Sequence, residues 1–351
     1  MTSVLVIGDR FIPASSYADA LAERLGDIPG VEVRTVVWRA DKAEQHRLQQ
    51  VMEVQGAGAV PPPPEVLAAV SDAEIVCLHF APIGRALLEA APALRLVAVA
   101  RAGLENVDVP AATDRGVAVV PVQGRNAGAV AELAIGFMLA EARNIARADA
   151  SVKSGGWRKD FPGARIEIAG RTIGMVGFGH VGRTLVRRLS GFECHPVVFD
   201  PYASDEDLSE HGARRADTLD EVFAEGDFVV VQARHTPETD RFITAKHFAL
   251  MKPSAYFINV ARSRLVDNDA LYAALSAGRI AGAGLDVFDE EPLTADSPWR
   301  NLDNVTITTH FGGDTEDTNT TSAKLVADAV TEFLRTGKAP GGVNAAELGL
   351  T

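Results

Sequence analysis

The chain has 351 residues and a formal net charge of −13, and 47% of its residues are apolar and 23% charged. This length allows two domains with separate cores. The acidic balance argues against a nucleic-acid partner, because binding to phosphates requires a basic surface. No apolar run approaches the roughly 20 residues of a membrane-spanning helix, and the N-terminal residues lack the pattern of a signal peptide. Cys77 and Cys194 form no closely spaced pair, so we expect a cytoplasmic protein with free thiols and no membrane partner.

The first third of the chain alternates strand-like apolar runs with helix-period patterns. Alternation of this kind, with nearly continuous apolar strands, is typical of an α/β domain built on a parallel sheet. Gly8 follows the first strand, but no second glycine follows in dinucleotide-binding spacing. The predicted strands are 4–7, 31–37, 74–80, 94–100 and 117–122, and predicted helices are 17–25, 64–70 and 83–90.

Residues 126–150 form the longest helical pattern in the chain. Asn126 suits the N-cap position, and the alanine-rich body is apolar over most of its first turns. A helix with so much apolar surface must be buried, either between domains or between subunits.

The stretch 172–200 reads as a strand, a glycine turn, a helix and a second strand that ends in an acid. The spacing of its glycines is that of a dinucleotide-binding site, although the same spacing also occurs in simple tight turns. Gly177 allows the tight turn, Gly179 lets the backbone approach a pyrophosphate, and Gly182 lets the helix pack closely on the strand. The helix N-terminus offers N–H groups and partial positive charge to the phosphates. The residues predicted to bind the cofactor here are Gly177, Phe178, Gly179, His180, Val181 and Gly182.

Asp200 lies at the end of the second strand, near the position about 20 residues on where a carboxylate accepts the ribose hydroxyls. A carboxylate there would repel the 2′-phosphate of NADP, so the predicted cofactor is NAD. Further strands are predicted at 228–232, 256–260, 282–287 and 305–309, with helices at 219–224, 268–275 and 318–334. Together with the first two, these strands make six, as expected for a doubly wound dinucleotide domain.

Three polar residues follow the carboxyl ends of these strands: Arg262, Glu291 and His310. Ligands of open parallel sheets bind at this edge, which also holds the glycine turn. A guanidinium can hold a carboxylate and polarise the adjacent carbonyl, and an imidazolium paired with a glutamate can donate a proton as hydride arrives. Taken singly, each residue also fits a solvated arginine, an exposed acidic turn or a structural histidine, and only their joint placement favours catalysis.

Four segments, 237–239, 259–271, 284–292 and 309–313, resemble the PxT, NxxRGxxVDxxAL, LDVFxxEP and PHxGG motifs of the D-isomer-specific 2-hydroxyacid dehydrogenases. The branch is the one labelled phosphoglycerate-dehydrogenase-like, a label that does not identify the substrate. The resemblance implies that Arg262 binds the substrate carboxylate and carbonyl and that Glu291 supports His310 as the acid/base. It also assigns Pro237, Thr239, Ala261 and Asp286 to the cofactor site, with Asp286 near the nicotinamide carboxamide.

In the first domain, residues 101–108 resemble the substrate loop of this family, shortened by two residues. The family holds the substrate carboxylate with backbone N–H groups of this loop, which correspond to Gly103 and Leu104. His79 and Phe80, at a strand end, are further candidates for lining the substrate side, or are packed against a neighbouring helix. Three departures from the family pattern, Ser263, Gln232 and Arg234, bear on substrate identity more than on reaction type.

The resemblance also implies the architecture. A Rossmann NAD-binding domain, 126–310, is inserted into a flavodoxin-like substrate domain made of 1–125 and 311–351, and both domains are doubly wound α/β folds with parallel sheets. The helix that begins at Asn126 is then the dimer helix. The expected function is hydride transfer between NAD(H) and a small 2-keto or D-2-hydroxy acid, without a metal. Alternatives are a phosphite-type dehydrogenase and a non-enzymatic, NAD-sensing scaffold on the same fold.

Overall fold

A computed structural model describes residues 1–38, 41–161 and 165–351. These residues divide into two units: Met1–Arg125 with Glu316–Thr351, called unit 1, and Asn126–Thr315, called unit 2. The second boundary lies five residues later than the predicted 310/311 junction. The physical reason is local, because the N–H groups of Phe311 and Gly312 donate to the Asp286 carboxylate and hold this segment in unit 2.

Unit 1 contains a five-stranded sheet in the order β2-β1-β3-β4-β5, and every pair of neighbours is parallel. This is the flavodoxin-like order. Each predicted strand of this region is present, and the three shortest are four-residue runs buried at every position. The strands are β1 (Thr2–Gly8), β2 (Val31–Val37), β3 (Ile75–Leu78), β4 (Leu96–Val99) and β5 (Ala118–Pro121).

Helices cover both faces of this sheet. The helices of unit 1 are α1 (Ala14–Leu25), α2 (Lys42–Gln55), α3 (Pro64–Ala69), α4 (Arg85–Ala90), α5 (Val109–Asp114) and α13 (Glu316–Thr336). Leu21 of α1 and Val326 of α13 belong to one core cluster, and Met52 of α2 and Leu87 of α4 belong to the other. Sequence analysis missed α2 and α5, although the side chain of Asp108 caps α5 by accepting a hydrogen bond from Ala111 N.

Unit 2 contains a seven-stranded parallel sheet in the order β12-β11-β10-β9-β6-β7-β8. The six predicted strands are present, and the order reverses between β6 and β9, as in a Rossmann fold. The additional strand, β8, is a pair of arginines at the sheet edge without an apolar pattern, so hydropathy did not indicate it. The strands are β6 (Thr172–Val176), β7 (His195–Phe199), β8 (Arg214–Arg215), β9 (Phe228–Val231), β10 (Tyr256–Asn259), β11 (Gly282–Leu285) and β12 (Val305–Ile307).

The helices of unit 2 also enclose two core clusters, one on each side of the sheet. They are α6 (Ala127–Arg143), α7 (Ile145–Lys153), α8 (His180–Leu189), α9 (Asp205–Glu210), α10 (Leu219–Glu225), α11 (Ala245–Leu250) and α12 (Asn268–Ser276). No helix in the described ranges is both long enough and apolar enough to cross a membrane.

The prediction of one helix over 126–150 was wrong, because the segment is broken at Asn144, whose φ is +54°. Arg147 donates to Asn144 Oδ1 at 3.0 Å and forms an ion pair with the buried Glu141 at 2.7 Å. These contacts tie the start of α7 to the last turn of α6 across the break. Asn126 lies at the N-cap position of α6, but its side chain makes no capping hydrogen bond.

Candidate active site

The glycine turn between β6 and α8 has the geometry that its three glycines require. Gly177 has φ +103°, and a Cβ on it would lie 2.8 Å from Ala233 N, so both backbone conformation and space demand glycine. A Cβ on Gly182 would lie 2.9 Å from Gly177 O, because α8 packs directly on the turn. A Cβ on Gly179 would meet no protein atom within 4 Å, so this glycine leaves open space in front of the helix.

The N-terminus of α8 presents free hydrogen-bond donors next to this open space. Among the described residues, nothing accepts a hydrogen bond from the N–H groups of Gly179, His180 or Val181. Free N–H groups and the positive end of the helix dipole together favour an anion such as a diphosphate. The arrangement therefore fits a dinucleotide. The side chain of Phe178 is 2% exposed in the core and does not line this open space.

Asp200 closes the turn from the end of β7. Its Oδ2 accepts from Phe178 N at 2.6 Å, and its Oδ1 accepts from Tyr202 N at 2.8 Å. Ala203 N also donates to Oδ1 at 3.2 Å, so Oδ2 is the oxygen of this half-buried side chain that can still accept a ribose hydroxyl. Arg183, on the first turn of α8, pairs with Asp207 and lowers the pKa of that carboxyl by hydrogen bonding.

The predicted cofactor turn Pro237–Thr239 is a short 3-10 helix after β9. The Thr239 hydroxyl accepts from Thr236 N at 2.7 Å and donates to Arg234 O at 2.9 Å. The hydroxyl of Thr239 therefore stabilises the loop of residues 234–239, which follows the carboxyl end of β9.

Asn259, the last residue of β10, shapes the loop that carries Arg262. It is 1% exposed, and its side-chain amide accepts from Ala261 N and donates to Arg262 O, both at 3.1 Å. Sequence analysis gave this asparagine no role, although it heads the NxxR segment. Arg262 itself is exposed, and its Nη1 donates to Ala261 O at 2.9 Å. Ser263 is not among the residues with positive φ, so the position does not require the glycine usual in the family.

Glu291 and His310 form a hydrogen-bonded pair. Glu291 Oε2 lies 2.7 Å from His310 Nδ1, and Glu291 Oε1 accepts from Phe288 N at 2.8 Å. An ionised carboxylate can only accept, so Nδ1 carries the proton and Nε2 is left to exchange a proton with a ligand. The exposed fractions of the two side chains are 17% and 25%, so a ligand can reach the pair.

Asp286 anchors the loop that presents His310. This carboxylate is 2% exposed, and it accepts hydrogen bonds from Thr308 Oγ1, from Phe311 N at 3.1 Å and from Gly312 N at 2.9 Å. His310 between these contacts has φ +56°, a conformation that is unusual for a residue with a side chain. The structure therefore gives Asp286 a positioning role that sequence analysis missed, beside its predicted place near the nicotinamide.

The three predicted catalytic residues follow neighbouring strands. Arg262 follows β10, Glu291 lies beyond the end of β11, and His310 follows β12, and these strands are adjacent in the sheet. The sheet therefore brings the three to one edge, as predicted from the carboxyl-end rule.

In unit 1, the predicted substrate residues Gly103 and Leu104 follow β4. Nothing in the described part of the chain accepts a hydrogen bond from either N–H group, so both are available to an anion. The Glu105 carboxylate is close, since a Cβ on Gly103 would lie 2.5 Å from its Oε2, and it pairs with Arg101 at 3.0 Å.

His79 and Phe80 follow β3 and are buried, with exposed fractions of 2% and 6%. Phe80 lies under the guanidinium of Arg101, 4.5 Å from ring centroid to Cζ. His79 lies between Asp9 and Arg125. Burial lowers the pKa of His79 to about 4, against the opposing effect of Asp9.

Comparisons with known proteins identify relatives of this chain. The model of the D-isomer specific 2-hydroxyacid dehydrogenase, NAD binding domain, matches residues 135–312. The chain is 38% identical over 290 residues to the D-3-phosphoglycerate dehydrogenase of Methanocaldococcus jannaschii, covering 82% of this chain and 55% of that protein. It is 37% identical over 283 residues to the glyoxylate reductase of Pyrococcus furiosus, covering 78% of this chain and 83% of that protein.

Solved structures show the same fold over nearly the whole chain. One is the NADPH-dependent glyoxylate/hydroxypyruvate reductase of Sinorhizobium meliloti, with a TM-score of 0.72 and 27% identity over 98% of each chain. This chain spans about half the length of the phosphoglycerate dehydrogenases that it matches.

Proposed function

The chain belongs to the family of D-isomer-specific 2-hydroxyacid dehydrogenases, and residues 135–312 match the NAD-binding domain of that family; on this premise, we propose that it is an NAD-dependent oxidoreductase for a small 2-keto acid or the corresponding D-2-hydroxy acid. The observation that carries the proposal is the 2.7 Å hydrogen bond between Glu291 and His310 at the carboxyl edge of the sheet. Hydride transfer to a carbonyl requires a proton donor such as this pair. A scaffold that only binds a dinucleotide does not require one.

In the proposed reaction, NADH, held at the glycine turn, would supply the hydride for the carbonyl carbon of the 2-keto acid. His310, protonated at Nε2, gives that proton to the carbonyl oxygen, so one keto acid, one NADH and one proton become one hydroxy acid and NAD⁺. Glu291 stabilises the imidazolium before the transfer and keeps the proton of the neutral ring on Nδ1 afterwards. The same atoms run the reaction in reverse.

Arg262 is proposed to bind the substrate carboxylate and to polarise the carbonyl. Its exposed guanidinium has one N–H bonded to the adjacent Ala261 carbonyl, which leaves a planar set of donors for a carboxylate. In unit 1, the N–H groups of Gly103 and Leu104, which have no acceptor among the described residues, are proposed as donors to an anion.

The test is NADH oxidation, with NADPH in parallel, against glyoxylate, pyruvate, hydroxypyruvate, phenylpyruvate, 2-ketoisocaproate and phosphohydroxypyruvate. We expect turnover of at least one acid and a preference for NADH. In His310→Gln, kcat should fall by roughly a hundredfold or more, with unchanged NADH affinity. His195→Gln is the matched control, because this exposed histidine is the first residue of β7. It therefore lies at the amino ends of the strands, away from the loops that carry the predicted catalytic residues. Tight NADH binding without turnover of any acid would contradict the proposal and favour phosphite or a non-enzymatic role.

We also propose a homodimer that forms through the segment beginning at Asn126. The apolar side chains of Ile145 and Val152 on α7 are 54% and 51% exposed, which favours a covered surface on this segment. Light scattering after size-exclusion chromatography should show a dimer that Ile145→Glu converts to a monomer. A monomeric unmodified protein would contradict this assignment.

A further inference from the structure

The loops that follow β9 and β10 in unit 2 carry four arginines, and two of these have no acidic partner. Arg241 and Arg264 each lie close to an aspartate, at 3.8 and 3.0 Å. Arg234 and Arg262 are exposed, and neither forms an ion pair with any residue that the structure describes. Arg262 has a proposed role at the substrate carboxylate. Arg234, which departs from the family pattern, has none.

The register of the strands places Arg234 between the glycine turn and Arg262. The last residue of β9 is paired with the last residue of β6 on one side and with the last residue of β10 on the other. Gly179, Arg234 and Arg262 are each the third residue after these aligned ends. Adjacent strands lie about 4.8 Å apart, so Arg234 leaves the sheet one strand away from the glycine turn.

The backbone on each side of Arg234 is held in place. A Cβ on Gly177 would lie 2.8 Å from Ala233 N and 2.9 Å from Ala233 Cα, so the residue before Arg234 packs directly on the glycine turn. On the other side, Thr239 Oγ1 donates to Arg234 O at 2.9 Å. These contacts tie the position of Arg234 to the turn, while its side chain stays exposed.

The first turn of α8 offers the doubly charged diphosphate of a dinucleotide no uncommitted guanidinium. The N-terminus of the helix supplies N–H groups and the equivalent of about half a positive charge. Arg183, the arginine of this turn, is paired with Asp207. Asp200, which accepts from the N–H of the turn, adds a negative charge nearby. A diphosphate bound here would therefore lack a cationic partner unless the neighbouring loop provides one.

We propose that Arg234 binds the diphosphate of the dinucleotide and provides this cation. A guanidinium can donate two parallel hydrogen bonds to a phosphate, and it stays charged at any pH at which the protein is folded. The turn, α8 and Arg234 all belong to unit 2. The inference rests on the cofactor of the proposed function. Because Arg234 departs from the family pattern, this contact would distinguish the chain from relatives that follow that pattern.

The test measures dissociation constants, which do not depend on turnover. NADH binding is followed by its fluorescence, and ADP-ribose and adenosine are then titrated as competitors. ADP-ribose contains the diphosphate but no nicotinamide, and adenosine contains neither. In Arg234→Gln, Kd for NADH and for ADP-ribose should rise roughly tenfold or more, whereas Kd for adenosine should not change. Arg234→Lys keeps a cation and should retain most of the affinity.

Arg187→Gln is the matched control. Arg187 is also exposed and forms no ion pair within the described ranges, but it lies in the last turn of α8, at the end of the helix away from the glycine turn. The substitution removes the same charge and should leave all three dissociation constants unchanged. The Tm of Arg234→Gln should equal that of the unmodified protein, because the exposed guanidinium has no partner in the described chain.

Three results would overturn the inference. An equal rise in Kd for adenosine would show that Arg234 contacts the base or shapes the loop. An unchanged Kd for NADH together with a raised KM for the keto acid would place its guanidinium at the substrate instead. An equal effect of Arg187→Gln would show that only the overall charge of the protein matters.

The outcomes also separate this inference from the proposed function. If Arg234→Gln weakens the binding of NADH and ADP-ribose but the unmodified protein turns over no acid, the inference stands and the proposed function fails. If Arg234→Gln binds NADH as tightly as the unmodified protein and both reduce an acid, the inference fails and the proposed function stands. No binding of NADH to the unmodified protein would overturn both.

Discussion

Acid should destabilise unit 1 through the protonation of His79. In the folded chain, burial lowers the pKa of this imidazole from 6.5 to about 4, despite Asp9. Between these values, the unfolded chain binds a proton that the folded chain does not, so the free energy of unfolding falls as the pH falls from 6.5 to 4. Each pH unit in this window contributes roughly 1.4 kcal/mol, so the full loss is roughly 3 kcal/mol.

The assay is urea unfolding of the unmodified protein and His79→Gln at several pH values from 7.5 to 4. Glutamine does not titrate, and it keeps an acceptor for Arg125, so the difference between the two pH profiles reports the imidazole. Trp38 is 1% exposed in unit 1, and its fluorescence reports this unit once Trp157 and Trp299 are replaced by phenylalanine in both proteins.

The unmodified protein should lose roughly 3 kcal/mol more than His79→Gln over this range. Asp9, whose pKa is lowered partly by His79, loses stabilising free energy only where an unfolded aspartate begins to bind a proton, below about pH 5. The difference between the two proteins above that pH therefore reports the imidazole. Parallel profiles for the unmodified protein and His79→Gln would refute the assignment of a buried, neutral imidazole.

Three further predictions concern unit 2. Gly179→Ala should weaken NADH binding roughly tenfold or more without changing Tm, since its Cβ would meet no protein atom within 4 Å. Gly182→Ala should instead lower the free energy of unfolding by roughly 1–3 kcal/mol, because its Cβ would lie 2.9 Å from Gly177 O. The opposite pattern would contradict the two roles. Asp200→Ala should narrow the preference for NADH over NADPH, and an unchanged ratio of the two kcat/KM values would show that this carboxylate does not contact the ribose. Asp286→Asn should lower kcat roughly tenfold with unchanged NADH affinity, because an amide cannot accept all three loop hydrogen bonds. A reduced NADH affinity with unchanged kcat would instead favour the predicted contact with nicotinamide.

Local pattern was enough to place most of the fold. Short apolar runs such as Ile75–Leu78 and Phe228–Val231 are buried at every position. Strands of a parallel sheet are covered on both faces, so a continuous apolar run is the pattern that predicts them. The glycine turn was equally readable, because the positive φ of Gly177 and the contact of Gly182 with Gly177 O both arise within the turn itself. The Glu291–His310 pair was expected from motif resemblance, and the structure shows its hydrogen bond.

Features that depend on contacts distant in sequence were decided only by the tertiary structure. The break at Asn144 is held by Arg147 and a buried Glu141, and the apolar pattern of residues 126–150 does not show these contacts. Asp286 was assigned to the cofactor from its motif, yet its carboxylate holds the loop of His310.

The Asp9–His79–Arg125 chain shows the limit most clearly. Its members follow β1, β3 and β5, and His79 and Arg125 are 46 residues apart in sequence. A sequence pattern shows that each residue follows a strand, which explains why His79 was a candidate. Only the strand order places it beside Asp9 and Arg125, and only burial in that position lowers its pKa and keeps it neutral. Sequence therefore determined where the strands end, and the packing of the sheet determined which side chains meet there.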